Sequence, residues 1–130
     1  MPVTVEWYDD QHRAILQRLI GKWTWEELGD AVTKVREYAE SVDGTLPLMI
    51  DNSQTRSMPG GNAMLHGINN LRRSPQNIDN VIFVMDSQLL KTFASMVFGA
   101  IPMWRGRTRF VKNLEEGRQI IDQLIEKVQA

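Results

Sequence analysis

An alternation of two hydrophobic periods constrains this chain more than any other feature. From Thr24 onward, segments whose apolar residues recur at helical spacing take turns with short runs that are apolar almost throughout. "TWEELGDAVTKVREYAESV" sets Leu28, Ala31, Val32, Val35, Tyr38 and Ala39 on one stripe, which predicts an amphipathic helix ending near Asp43-Gly44. "LPLMID", residues 46 to 51, predicts a strand buried on both faces. "NAMLHGINNLRR" follows as a helix with a weaker apolar face interrupted by Gly67, "VIFVM" (81 to 85) as another buried strand, and "QLLKTFASMVFGAI" as a helix stopped by Pro102. "TRFVK" and "LEEGRQIIDQLIEKV" supply a last strand and helix, the latter carrying Leu114, Ile120, Ile121, Leu124, Ile125 and Val128.

The helix starts are marked chemically. Thr24 with Glu27 three residues on is the reciprocal arrangement that satisfies two exposed backbone donors, Asn113 with Glu116 repeats its spacing, and Asp86 or Ser87 suits a cap between them. Ahead of these elements "VTVEWY" (3 to 8) alternates with period two, and "AILQRLIG" (14 to 21) follows a turn-like "DDQH", which predicts an antiparallel hairpin.

The order ββαβαβαβα predicts an α/β fold: a single mixed sheet, an N-terminal antiparallel hairpin followed by parallel strands, with right-handed crossovers and about four helices. One domain over residues 1–130 is expected, since 42% hydrophobic content supports one core at this length. Residues 52 to 61, Asp86 and Ser87, and Lys112 and Asn113 then fall after strand carboxyl ends, where open α/β sheets meet ligands and partners.

Composition removes several function classes. The absence of cysteine eliminates disulfides, thiolate metal sites and cysteine nucleophiles, and gives a weak preference for a cytoplasmic setting. No basic-then-apolar leader and no run near the roughly 18 residues of a spanning helix occur, so a soluble chain without a membrane span is expected. The net charge of −1 hides a division: residues 1 to 51 hold 5 Lys/Arg against 10 Asp/Glu, and residues 52 to 112 hold 8 against 2. The central cations are dispersed, which reads as solvated charge rather than an anion site.

With an aliphatic strand ending in Asp51, a glycine-bearing loop entering a helix, and the Trp-Thr-Trp-Glu-Glu segment Trp23 to Glu27 after the hairpin, the chain resembles the STAS domain of anti-sigma-factor antagonists. It is closer to the SpoIIAA-like set of small bacterial proteins. The resemblance spans nearly the whole chain and implies a non-catalytic, phosphorylation-responsive or partner-binding module. In regulatory STAS domains the loop runs from Asp through about seven residues to Asp-Ser-Ser-Gly, with a phosphorylatable serine at the helix start. Here Pro59, Gly60, Gly61 and Asn62 hold those positions, so the acceptor serine is missing and the phospho-switch that the resemblance implies should not operate there. Ser53 and Ser57 remain in the same stretch as candidate modification sites, although serines bonding local backbone in a turn are the simpler reading. Gly60 and Gly61 could leave backbone N–H groups open to an anion at a helix start, against which stands a plain turn. Asp51, Ser53, Ser57, Gly60, Gly61 and Asn62 are therefore the candidate partner- or ligand-binding loop.

No catalytic residue and no metal or cofactor site emerges. Asp51, His66 and Ser53 or Ser57 supply the residue types of a hydrolase triad without a nucleophile elbow, and His12 and His66 are too few and badly spaced for zinc. Asp9-Asp10 reads as a turn and Glu26-Glu27 as a helix start, since sequence neighbours point apart. Trp104, Arg105, Arg107, Arg109 and Phe110 interleave aromatic and basic groups, but a half-exposed strand gives the same alternation, and nucleic acid is disfavoured.

The segment from Ser87 to Trp104 holds an apolar surplus. Leu90, Phe93, Ala94, Val97 and Ile101 already make a core stripe, while Leu89, Met96, Phe98, Met103 and Trp104 crowd the remaining circumference. Cover by the terminal helix competes with an apolar contact surface at Met96, Phe98, Met103 and Trp104. The leading expectation is a non-catalytic bacterial regulatory module that binds a protein or itself. The alternative is a carrier or sensor of a small apolar or amphipathic ligand, held between the Phe98 to Trp104 region and the helix from Asn62.

Overall fold

The capping box forms as the spacing requires. The Thr24 hydroxyl accepts from the Glu27 amide at 3.0 Å and the Glu27 carboxylate accepts from the Thr24 amide at 3.0 Å, opening α1 (Trp25–Glu40). The structure, a computed structural model, describes residues 2–104 and 106–129; Arg105 and the side chain of Val128 lie outside the described residues. The other elements are β1 (Val3–Trp7), β2 (Ile15–Lys22), β3 (Leu46–Ser57), α2 (Ala63–Arg73), β4 (Ile78–Val84), α3 (Gln88–Gly99), a 3-10 turn at Pro102–Trp104, β5 (Thr108–Val111) and α4 (Leu114–Gln129). Asn62 and Ser87 cap α2 and α3, accepting from the amides of Leu65 and Leu90. At α4 the arrangement slips by one residue: Asn113 accepts from the Glu116 amide, while the Glu116 carboxylate accepts from Lys112.

One five-stranded sheet runs β1-β2-β3-β4-β5, antiparallel between β1 and β2 and parallel thereafter. Every crossover steps to the next strand in the same direction, so right-handed connections place α1, α2 and α3 on a single face. Packing agrees: Ile15, Leu48, Val81 and Phe83 share a core with Val35 of α1, Leu71 of α2 and Val97 of α3. On the opposite face Met49, Ile82, Val84 and Val111 pack against Ile121 and Ile125 of α4. The terminal helix therefore lies across the sheet from α3 and does not cover it. Without a reversal of strand order there is also no switch-point crevice of the doubly wound kind.

Buried Gly117 sets how near α4 sits, because a Cβ there would stand 2.7 Å from Met49 Sδ and 3.1 Å from Val84 Cγ2.

The stretch expected as a loop from Asn52 is corrected in its first half. β3 continues past Asp51 to Ser57 by pairing with the end of β2, so Asp51, Ser53 and Ser57 are strand residues. The sequence signal was misleading because this end stands largely in solvent and lacks apolar alternation. Arg18 pairs with Asp51 but Ile20 pairs with Gln54, so β3 carries one extra residue at this point. Such a bulge shifts the side-chain parity of the residues beyond it, and it brings Asn52 and Thr55, three apart, into hydrogen-bond contact at 2.9 Å.

Candidate functional site

The candidate loop residues divide among different tasks. Asp51 is buried and its Oδ1 accepts from the Ser53 amide at 2.9 Å, closing the bulge locally. Ser53 and Ser57 are exposed, and neither hydroxyl bonds a described residue, so neither performs the turn role expected of it. Gly61 has φ +93°, a left-handed conformation suited to glycine, and the Gly60 carbonyl accepts from the Trp25 indole at 2.9 Å. Asn62 caps α2. No hydrogen bond among described residues links the His66 ring to Asp51 or to either serine hydroxyl, and His66 instead stacks on Trp25 with ring centroids 5.2 Å apart. No three metal-ligating side chains gather among the described residues.

The expected contact surface is corrected at two of its four residues. Phe98 and Trp104 are only 7% and 1% exposed, drawn inward by edge-on packing of Phe98 against Phe83 and Trp104. Met103 is half-buried against the same core, and Met96 alone is exposed, at 56%. Phe110 packs on Phe83, so with Trp104 buried the aromatic members of the basic segment offer no open stacking platform.

What Phe98 and Trp104 line instead is a partly open apolar cavity of about 110 Å³ between the sheet and α1, α2 and α3. Gln17, Ile50, Asn52 and Phe83 belong to its floor; Val35, Leu71 and Val97 come from the three helices above. Gly67, the break in the α2 stripe, lines it where a Cβ would stand 3.0 Å from Val97 Cγ2. Trp25, Met58 and Phe93 are lining residues that remain partly exposed. The tryptophans of the Trp-Thr-Trp-Glu-Glu segment hold one side in place: Trp23 donates to Thr55 Oγ1 at 3.2 Å and meets Trp25 edge-on at 5.2 Å.

Two of the polar residues that line this apolar space, Gln17 and Asn52, are buried. Gln17 and Asn52 are 3% and 5% exposed and occupy diagonal positions on one sheet face, Gln17 being in register with Ile50. The Gln17 carboxamide bonds no described residue, and Asn52 is bonded only through its contact with Thr55. The buried Trp104 Nε1 likewise has no partner among the described residues. Left unpaired, the buried Trp104 N–H costs about 1–3 kcal/mol. Sequence reasoning missed Gln17: the parity it shares with Ile15 and Leu19 was the available signal, but not that this parity faces the three helices.

No family model matches the chain, and no curated protein matches it. Among solved structures it is similar to an uncharacterized protein of the DUF3478 family, described as having a SpoIIAA-like fold, from Shewanella loihica PV-4. The TM-score is 0.65 over 92% of this chain and 91% of that one, at 11% identity. The fold is SpoIIAA-like. Within this SpoIIAA-like frame the glycine turn before α2 is held from the cavity side, through Trp25, and no helix is long and apolar enough to cross a membrane among the described residues.

Charge perturbation lies away from the cavity, at the β1–β2 turn. Burial, then the hydrogen bond donated to Asp122 at 2.8 Å and that carboxylate's charge, push the Tyr8 phenol up to about 12. For Asp9 burial acts to raise the pKa, but bonds from the Arg13 amide at 3.0 Å and guanidinium at 2.6 Å outweigh it and hold the carboxyl below its ordinary value.

Proposed function

We propose that residues 1–130 form one non-catalytic binding domain that carries or senses a small, mainly apolar molecule inside the fold. The observation that carries this reading is the apolar cavity beneath α1–α3 with the unpartnered Gln17 carboxamide on its floor. An apolar cavity of about 150 Å³ takes up benzene, which scales 110 Å³ to a ligand, or a ligand end, of about four to five non-hydrogen atoms. None of the described lining residues is acidic, basic or histidine, which favours binding over acid–base or nucleophilic chemistry.

A second reading, a STAS-type regulator that docks a protein or a second copy, is favoured by α3. Leu89 and Met96, 82% and 56% exposed and two turns apart, share one outward face there. Native mass spectrometry of the purified chain separates the two. A retained small-molecule mass supports the carrier; a clean apo mass with a co-purifying polypeptide or a dimer supports the regulator and counts against the carrier.

A further inference from the structure

We infer that the chamber selects a molecule with an uncharged hydrogen-bonding end, of amide or alcohol class, read by the Gln17 and Asn52 carboxamides, and that it rejects a carboxylate of the same size. This rests on the cavity being a ligand chamber and adds the chemistry of the ligand's polar end.

Gln17 sits on the inward face between Ile15 and Leu19, almost fully buried, with both the donor and the acceptor of its carboxamide uncommitted among described residues. Asn52 is adjustable. Thr55 Oγ1 accepts from the Trp23 indole and has one proton for two acceptors in reach, Asn52 Oδ1 at 2.9 Å and the Leu19 carbonyl at 3.1 Å. With that proton on Asn52, the Asn52 amide leaves its NH2 for a ligand. With the proton turned to Leu19, the Asn52 amide can turn over, donate to Thr55 and leave its carbonyl for a ligand instead. The floor can therefore meet donors and acceptors together, as an amide or hydroxyl end requires. Of the other polar lining side chains, Asn70 donates to the His66 carbonyl and Ser74, at the end of α2, to the Asn70 carbonyl, while the Trp104 indole N–H is a further neutral donor without a described partner.

Charge is selected against for a plain reason: an ion taken out of water needs a counter-charge, and no described lining residue carries one, the open donors being neutral amide and indole groups. Size sets the probes, so the near-isosteric pair propionamide and propionate reads the polar end, and xenon reads the apolar space alone.

The test is a titration of the isotope-labelled full chain at pH 7, following the side-chain NH2 resonances of Gln17 and Asn52. Propionamide is expected to saturate and move both, propionate to bind at least about tenfold more weakly, and Gln17→Met to weaken propionamide by about tenfold while leaving xenon binding within about twofold. Gln17→Met keeps side-chain length, and the comparison of the two probes needs no variant. Equal binding of propionate and propionamide, or a Gln17→Met chain with unchanged propionamide affinity, overturns the inference and leaves the chamber standing. Failure of xenon and propionamide alike to bind removes the chamber and the inference together.

Discussion

Single residues decide whether the sheet's helix-covered face is a sealed core or a receptive one. Gln17 is the clearest case: in the run "AILQRLIG" glutamine and arginine have opposite parity, Gln17 lining the cavity beneath α1–α3 and Arg18 lying on the α4 side of the sheet, where it pairs with Glu6 at 3.5 Å. Parity was legible; which parity faces the three helices was not. At the turn below, Asp9 has a folded-state pKa under its ordinary value of 3.8, so it contributes stability that is complete above that pH and is lost as pH falls through the lower folded value. Asp9→Asn is expected to remove this part of the acid sensitivity: urea midpoints of variant and parent should draw together below about pH 4 and separate above it, the parent being the more stable. A constant gap across that range would show that the ionised carboxylate is not what Arg13 holds.

Among the elements, the helices and all five strands were read from sequence, and what was missed is how far β3 runs past Asp51. Thr24 and Ser87 mark α1 and α3 because capping is local chemistry, settled within four residues, and Asn62 caps α2 in the same way although only the turn before it was read as a signal. The far end of β3 has no such local mark; its residues Gln54, Thr55 and Ser57 are strand because Ile20, Gly21 and Lys22 lie alongside. Likewise Gly117 looks like a weakness in α4, since glycine lowers helix propensity by about 1 kcal/mol. Its close approach to Met49 and Val84 reverses that judgement. Gly117→Val should destabilise the fold by about 2 kcal/mol through overpacking, measured by chemical denaturation, with Gln119→Val on the exposed side of the same helix nearly neutral. A neutral Gly117→Val would mean that α4 can stand off the sheet.

At the scale of the molecule, the sequence carries the element order and the mixed sheet, because both follow from alternating periods, and the SpoIIAA-like resemblance, which rests on Asp51, the glycine-bearing loop and the Trp23 to Glu27 segment. It does not carry the layering. Stacking three crossover helices on one face depends on strand order, and it turns the apolar surplus of α3 inward, so that Phe98 and Trp104 become walls of the cavity while Leu89 and Met96 stay outside. The same asymmetry supplies a control within one molecule, since the α4 face is packed around Ile82, Val84 and Ile121. The most direct measurement is a xenon-pressure series of methyl spectra. Saturable shifts at Val35, Leu48, Val81 and Val97, with Val84, Ile82 and Ile121 unmoved, are the predicted result. No shift at the first group, or equal shifts on both faces, would contradict a chamber beneath the crossover helices.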